Sequence, residues 1–272
     1  MKKILLLCFA LFSIIYAEQK ERLVILDPAS IETIYMLGAQ DQIVGIANLQ
    51  QSSIYPEEET KKLVGVGTFS HPSLEKIVAL KPTLVLLSSY SVNLEEGLKS
   101  FGIKSKFIKA ERLEDIKANI KTLAQIVHKE KEGDELIKSF EVDLQKLQAN
   151  PIGKTGIYLY SSNPLMAFND NSLIADVMKL VGIKNLSPQT DVSRPIISAE
   201  FILKQNPEIL ILGIGVSDIN EFLNANSLLK HTMAAKEKQI YINPKTHILM
   251  RLSPKIVDRI AEFKTKIEKE RF

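Results

Sequence analysis

The sequence predicts an α/β protein built as two similar lobes joined by a long helical connection, and three observations lead there. Short, continuously apolar segments such as Leu23–Leu26 alternate with stretches of helical periodicity, the pattern of parallel strands linked by helices. Between Glu111 and Gln148 the chain has no proline and a single glycine, Gly133, so one or two long helices interrupt the alternation. An echo lies on either side of this stretch. Glu75 precedes Pro82 by seven residues and Glu200 precedes Pro207 by seven, and each proline is followed by one residue and an apolar run. One helix–Pro–strand echo does not prove a repeat, but two like halves is the economical reading.

Taken in order, residues 1–17 read as a secretory signal peptide. Lys2 and Lys3 form a positive start, Ile4 to Ile15 an apolar run, and Ala17 a small residue for cleavage. The run falls short of the roughly 20 apolar residues that span a bilayer. Cys8 as a lipid-bearing residue would have only Leu5–Leu7 before it, so cleavage after Ala17 is preferred. Leu23–Leu26 is the first strand. Asp27-Pro28-Ala29-Ser30 opens a helix, with Asp or Ser as its cap, apolar residues at Ile31, Ile34 and Tyr35, and Gly38 to end it. Strands follow at Ile43–Ile46, Leu84–Leu87 and Lys106–Ile108. Leu136, Ile137, Phe140, Leu144 and Leu147 keep helical spacing until Asn150-Pro151-Ile152-Gly153 stops it. Strands return at Thr155–Tyr160, Ile209–Leu212 and Ile240–Ile242, and Ser253–Lys269 is a closing helix. The expected boundaries are 18–125 for the first lobe, 126–150 for the interlobe helix and 151–272 for the second lobe.

Composition excludes several function classes. The whole chain carries a formal net charge of +3. Loss of Lys2 and Lys3 with the leader leaves 33 basic against 32 acidic residues, and no basic block suggests nucleic acid. Cys8 is the only cysteine, so an exported mature chain has no disulfide, thiol nucleophile or cysteine-based metal site. There is no Gly-x-Ser-x-Gly elbow, P-loop or His-Glu-x-x-His motif. A secreted hydrolase is therefore poorly supported, and no enzymatic activity is expected.

Asp27-Pro28-Ala29-Ser30-Ile31-Glu32, Leu37-Gly38-Ala39 and Ile43-Val44-Gly45-Ile46 resemble the opening of the helical-backbone periplasmic binding proteins for iron–siderophore, haem, cobalamin and related chelates. Val64-Gly65-Val66-Gly67 and the segment Ser73 to Pro82 continue the likeness, as do Asn171-Ser172-Leu173-Ile174, Val181 to Leu186 and Arg251-Leu252-Ser253-Pro254. The resemblance implies two Rossmann-like lobes, a rigid interlobe helix and a ligand cleft between the lobes. It implies a monomeric periplasmic receptor with no intrinsic cofactor, delivering a metal chelate to an ABC permease dimer with its ATPase. An iron–siderophore is the first expectation, with cobalamin, haem and nickel chelate as alternatives. Glu75 and Glu200 stand where one acid on each lobe meets arginines of the permease. First-turn glutamates also complement a helix dipole, which alone explains many of them.

Ligands of α/β sheets sit beyond the carboxyl ends of the strands, so the loops there hold the candidates. His71 and His247 are the tentative metal contacts, made through a chelate. His128 and His231 read as solvated helix residues. No two histidines have close zinc-like spacing. Tyr90 could ligate a haem iron, although Phe69 occupies the loop where haem-binding relatives carry a tyrosine. Phe69, Met166 and Phe168 could pack on a macrocycle, while ordinary core packing is their commoner fate. Arg194 and Arg251 could pair with carboxylates, catecholates or phosphates, or simply form salt bridges.

Overall fold

The computed structural model describes residues 20–269, so the signal-peptide expectation lies outside the described residues. The strands are β1 Leu23–Ile25, β2 Ile43–Asn48, β3 Gly65–Thr68, β4 Leu84–Leu87, β5 Lys104–Phe107, β6 Lys154–Ser162, β7 Leu165–Ala167, β8 Ile183–Asn185, β9 Ile209–Leu212 and β10 Ile240–Ile242. The α-helices are α1 Pro28–Met36, α2 Glu57–Thr60, α3 Leu74–Ala79, α4 Glu95–Ser100, α5 Asp115–Ile126 and α6 Glu130–Ala149. They continue with α7 Leu173–Leu180, α8 Ala199–Gln205, α9 Ile219–Ala225, α10 Met233–Lys236, α11 Thr246–Leu249 and α12 Ile256–Lys269.

Two sheets result. The first has strand order β3-β2-β1-β4-β5 and all its pairs are parallel. The second runs β10-β9-β6-β7, with β8 pairing parallel to the start of β6 and β7 antiparallel to its end. In both sheets a helix, a left-handed glycine and a parallel strand beside the lobe's first strand follow that first strand: β1, α1, Gly38 (φ 70°), β2, and β6, then after the antiparallel β7, α7, Gly182 (φ 80°), β8. A Cβ at Gly182 would lie 2.4 Å from Pro151, so the tight approach as well as φ requires glycine there. The Glu–Pro echo also finds its place. The units α3–Pro82–β4 and α8–Pro207–β9 each deliver a strand beside the first strand of its lobe.

Strand periodicity divides the core. Leu23 and Ile25 face a central cluster, and Val24 and Leu26 face a satellite beneath α3 and α4. In the second lobe Tyr158, Ile209 and Ile211 join the same central cluster, while Ile157, Leu159, Leu210 and Leu212 fill a satellite with Phe222 and Leu229. The central cluster therefore runs through both lobes and takes in Ile120, Leu123, Phe140, Leu147, Ile260 and Phe263 from the helices between them. Each fully buried aliphatic side chain contributes about 1.5–3 kcal/mol, so the lobes share much of their apolar burial.

Of the one or two helices expected for the connection the chain has two, and α6 falls within the 126–150 span. The connection, α5 and α6, is broken at Val127–Lys129, where His128 takes φ 56°. His128 is thus an exposed break residue instead of a mid-helix one, and His231 ends a short 3-10 turn. The break folds α6 back on α5, where Gly133 brings the helices so close that an added Cβ would meet that of Ala124 at 2.6 Å. The buried Lys264 Nζ donates to the Leu147 carbonyl at 2.9 Å, placing a cation at the C-terminal end of α6. Smaller shifts affect β5, which begins at Lys104, and α12, which begins at Ile256. In both cases the expected ends missed local hydrogen bonding that apolar spacing does not report.

Candidate ligand cleft between the lobes

Five strand ends form the floor of the site. Asp27 follows β1, Leu49–Ser52 follow β2, Phe69 and Ser70 follow β3, Ser88–Tyr90 follow β4, and Ile108 follows β5. Together they line a cavity of about 550 Å³ that the second lobe closes with His247, Met250, Arg251 and Leu252. Asp27 caps α1: its Oδ2 accepts from the Ser30 N–H at 2.8 Å and from Ser30 Oγ at 2.6 Å. Burial pushes its carboxyl above the usual carboxylate range, although the Ser30 hydrogen bonds and the Arg251 charge pull the other way. Ser91 Oγ accepts from the Ser88 N–H at 2.8 Å and holds the turn that presents Tyr90. The Phe69 and Tyr90 rings meet at 4.9 Å between centroids, tilted by 54°, and Phe107 extends the aromatic wall at 40% exposure.

The second-lobe wall is fixed by polar contacts. The Tyr158 hydroxyl and Thr246 Oγ1 share a hydrogen bond of 2.8 Å, and Asn243 Nδ2 donates to Tyr158 at 2.8 Å. Burial raises the Tyr158 hydroxyl to about 12, so it stays protonated. Beyond α11, Arg251 Nη1 donates to Glu32 Oε1 at 2.6 Å and to the Ser53 carbonyl at 2.8 Å, and its Nη2 donates to Ser52 Oγ at 3.0 Å. Arg259 Nη2 donates to the same Glu32 oxygen at 2.6 Å, and the Ser253 hydroxyl donates to the other. Burial alone would raise the Glu32 carboxyl, but the charges of Arg251 and Arg259 outweigh it and hold the group below its ordinary value. His247 moves below the usual imidazole range through burial and the nearby Arg251 charge, which favours neutral imidazole. Its Nε2 is buried with no hydrogen-bond partner among the described residues.

The sequence profile of the periplasmic binding protein family matches residues 23–246. The chain belongs to the periplasmic binding protein family. It is 27% identical over 216 residues to a vitamin B12-binding protein of Pectobacterium carotovorum, covering 77% of this chain and 75% of that one. Its fold is similar to the periplasmic vitamin B12-binding protein of Vibrio cholerae, with a TM-score of 0.69 at 22% identity over 92% of this chain and 99% of the other. It is also similar to the periplasmic haem-binding protein of Vibrio cholerae, with a TM-score of 0.77 at 21% identity over 90% and 98%. The two-lobed α/β fold expected from the sequence is thereby shown, and the chain is a binding protein of this type.

In this binding protein Phe69, Tyr90, His247 and Arg251 all line the one cavity. Other expected contacts stand elsewhere. His71 is exposed in the turn before α3, with its Nδ1 3.1 Å from Ser70 Oγ. Phe168 lies outside the cavity lining: it is 3% exposed and meets Tyr158 and Tyr160 edge-on at 5.4 and 5.6 Å, the core packing named as its alternative. Alternation along β7 buries Leu165 and Ala167 and leaves Met166 half-buried, outside the cavity lining. Arg194 is exposed and lies over the Tyr160 ring, 4.7 Å from its centroid. Arg251 lines the cavity, yet its guanidinium is committed to a buried ion pair and not to open solvent. Among the described residues no cluster of three or more His, Cys, Asp or Glu could hold a metal ion.

Glu75 and Glu200 are both exposed in the first turn of a helix, each two residues after a capping serine. Ser73 accepts from the Lys76 N–H at 3.3 Å, and Ser198 from the Phe201 N–H at 3.2 Å. Sequence reasoning missed Asp27, the 48–52 loop and Phe107 as lining residues. The strand-end rule that led to Phe69 and His71 also selects the loop after β2. Glu32 and Arg259 carried no such signal.

Proposed function

We propose that this protein is a periplasmic receptor that captures a metal chelate of the corrinoid class and hands it to an ABC permease. The observation that carries the reading is the cavity at the strand ends, with Phe69, Tyr90 and Phe107 on one side and His247 and Arg251 on the other. Such a wall suits a large, mostly apolar ligand held by few polar anchors. The corrinoid class takes precedence over the iron–siderophore first expected, because the vitamin B12-binding relatives of Pectobacterium and Vibrio are 27–29% identical to this chain. Haem is the second reading, favoured by the Tyr90 phenol, 62% exposed at the rim, which is a usable axial ligand for haem iron. The chain has no tryptophan, so tyrosine quenching backed by calorimetry reports binding cleanly. Cyanocobalamin, haemin, ferric siderophores and nickel–histidine form the panel. Selective, saturable binding of cyanocobalamin supports the corrinoid reading, selective binding of another member replaces it, and no binding overturns it.

Docking belongs to the same proposal. Glu75 and Glu200 occupy equivalent places in the two lobes and register the receptor on a permease dimer through paired charges. The double Glu→Ala protein is expected to bind ligand normally and to lose uptake at matched abundance. Normal uptake would remove both residues from that role.

A further inference from the structure

Among the described residues, the second lobe reaches the cavity through His247, Met250, Arg251 and Leu252. These residues sit on a four-residue helix and a turn, with no strand pairing of their own. We propose that Glu32 and Arg259, neither of which lines the cavity, are positioning residues that clamp this wall against the first lobe. The ligand-binding part of this inference rests on the corrinoid reading above.

The geometry is that of a clamp across the lobes. Glu32 lies on α1 in the first lobe with no exposed surface, 219 residues from Arg251 in sequence. One of its oxygens takes both guanidinium groups, and the Tyr55 N–H at 3.3 Å, while the other takes the Ser253 hydroxyl. Arg251 then reaches on to Ser52 and Ser53, so its guanidinium joins the β2 loop, itself a cavity wall, to the second-lobe wall. Two arginines face one carboxylate, and Arg259 Nη1 is buried without a hydrogen-bond partner among the described residues. Stability alone does not account for this arrangement. Apolar residues of similar volume commonly replace buried ion pairs without loss, whereas fixed charges specify one registration. Any sliding of the lobes must break the fork at Glu32, whose carboxylate has no exposed surface.

The test uses the full mature chain and two readouts, one of which needs no ligand. Glu32→Gln keeps an acceptor of the same shape and removes the charge. In hydrogen exchange, amides of residues 52–55 and 248–253 are expected to exchange at least tenfold faster in Glu32→Gln, while those of β1 and β6 keep wild-type rates. The cyanocobalamin dissociation constant, measured where circular dichroism shows the variant folded, is expected to rise about tenfold. Glu32→Asp, with its charge on a shorter stem, recovers part of the loss. If Glu32→Gln does not fold, Arg259→Lys, which keeps one charge and loses the fork, is read in the same way with smaller changes. Wild-type exchange and affinity in a folded variant would overturn the clamp. Failure of the wild-type protein to bind cyanocobalamin would sink the corrinoid reading alone, and exchange would still decide the clamp.

Discussion

At the residue scale, Glu32 concentrates the electrostatic demands of the molecule. Its carboxyl is held below its ordinary value of 4.5 in the folded chain. A depressed folded value contributes stability that is present above the unfolded value and lost as pH falls through the folded one. The difference in unfolding free energy between wild type and Glu32→Gln is therefore expected to shrink on acidification below about pH 4.5, with a limiting slope of about 1.4 kcal/mol per pH unit. A difference constant from pH 6 to pH 3 in denaturant titrations would show that the charge of Glu32 is not what stabilises. Removing the side chain altogether, as in Glu32→Ala, leaves two arginines buried without their partner and is expected to cost about 3–5 kcal/mol. None of this was legible in the sequence. Glu32 sits one residue after Ile31 in a helix whose opening matched a familiar pattern, and its two arginine partners lie more than 200 residues away. Residues whose surroundings are local were readable, as the Asp27 cap and the Gly38 terminator illustrate.

At the scale of elements, alternation and spacing specified most of the strands because each is buried on both faces, and such strands read as short apolar runs. β5 is the exception that explains itself. It is an edge strand whose Lys104 and Lys106 are exposed, a common guard against edge-to-edge pairing, and the same lysines blurred its start. The position of the α5–α6 break was not legible either, since His128 in a left-handed conformation has no composition signal like that of glycine. Gly133 marks the return packing. Gly133→Ala should favour the helix by about 1 kcal/mol on propensity alone. Its Cβ would instead meet Ala124 at 2.6 Å, so a net loss of about 1–3 kcal/mol is expected from overpacking. Ala124→Gly in the same chain should return part of it. Equal or higher stability for Gly133→Ala by thermal unfolding would mean that the two helices separate freely at this point.

On the scale of the whole molecule, the lobes are tied by a shared apolar cluster, the Glu32 fork and a second charged pair. In that pair Arg112 Nε donates to Asp176 Oδ2 at 2.7 Å and Nη2 donates to Oδ1. Hinge closure needs a few residues free to absorb large backbone changes, and here the approaches to the cleft are crossed by these contacts. Small-angle scattering is expected to show no resolvable drop in radius of gyration on adding ligand, and a large drop would refute a fixed cleft. Of the loops that the strand-end rule selects, those of the first lobe line the cavity more fully than those of the second. Met166, Phe168 and Arg194 belong to segments that the rule selects, yet Met166 lies on β7, and packing on Tyr158 and Tyr160 turns Phe168 into core and seats Arg194 on an aromatic face. Which face of a loop looks into a cleft depends on the partner lobe, and loop composition does not encode that. The most direct test of the central claim is calorimetric titration of the mature protein and its Phe69→Ala/Tyr90→Ala variant with cyanocobalamin. The account predicts saturable one-to-one binding to the wild type, weakened at least tenfold in the variant. No saturable binding to the wild type, or equal affinity for the two proteins, would contradict it.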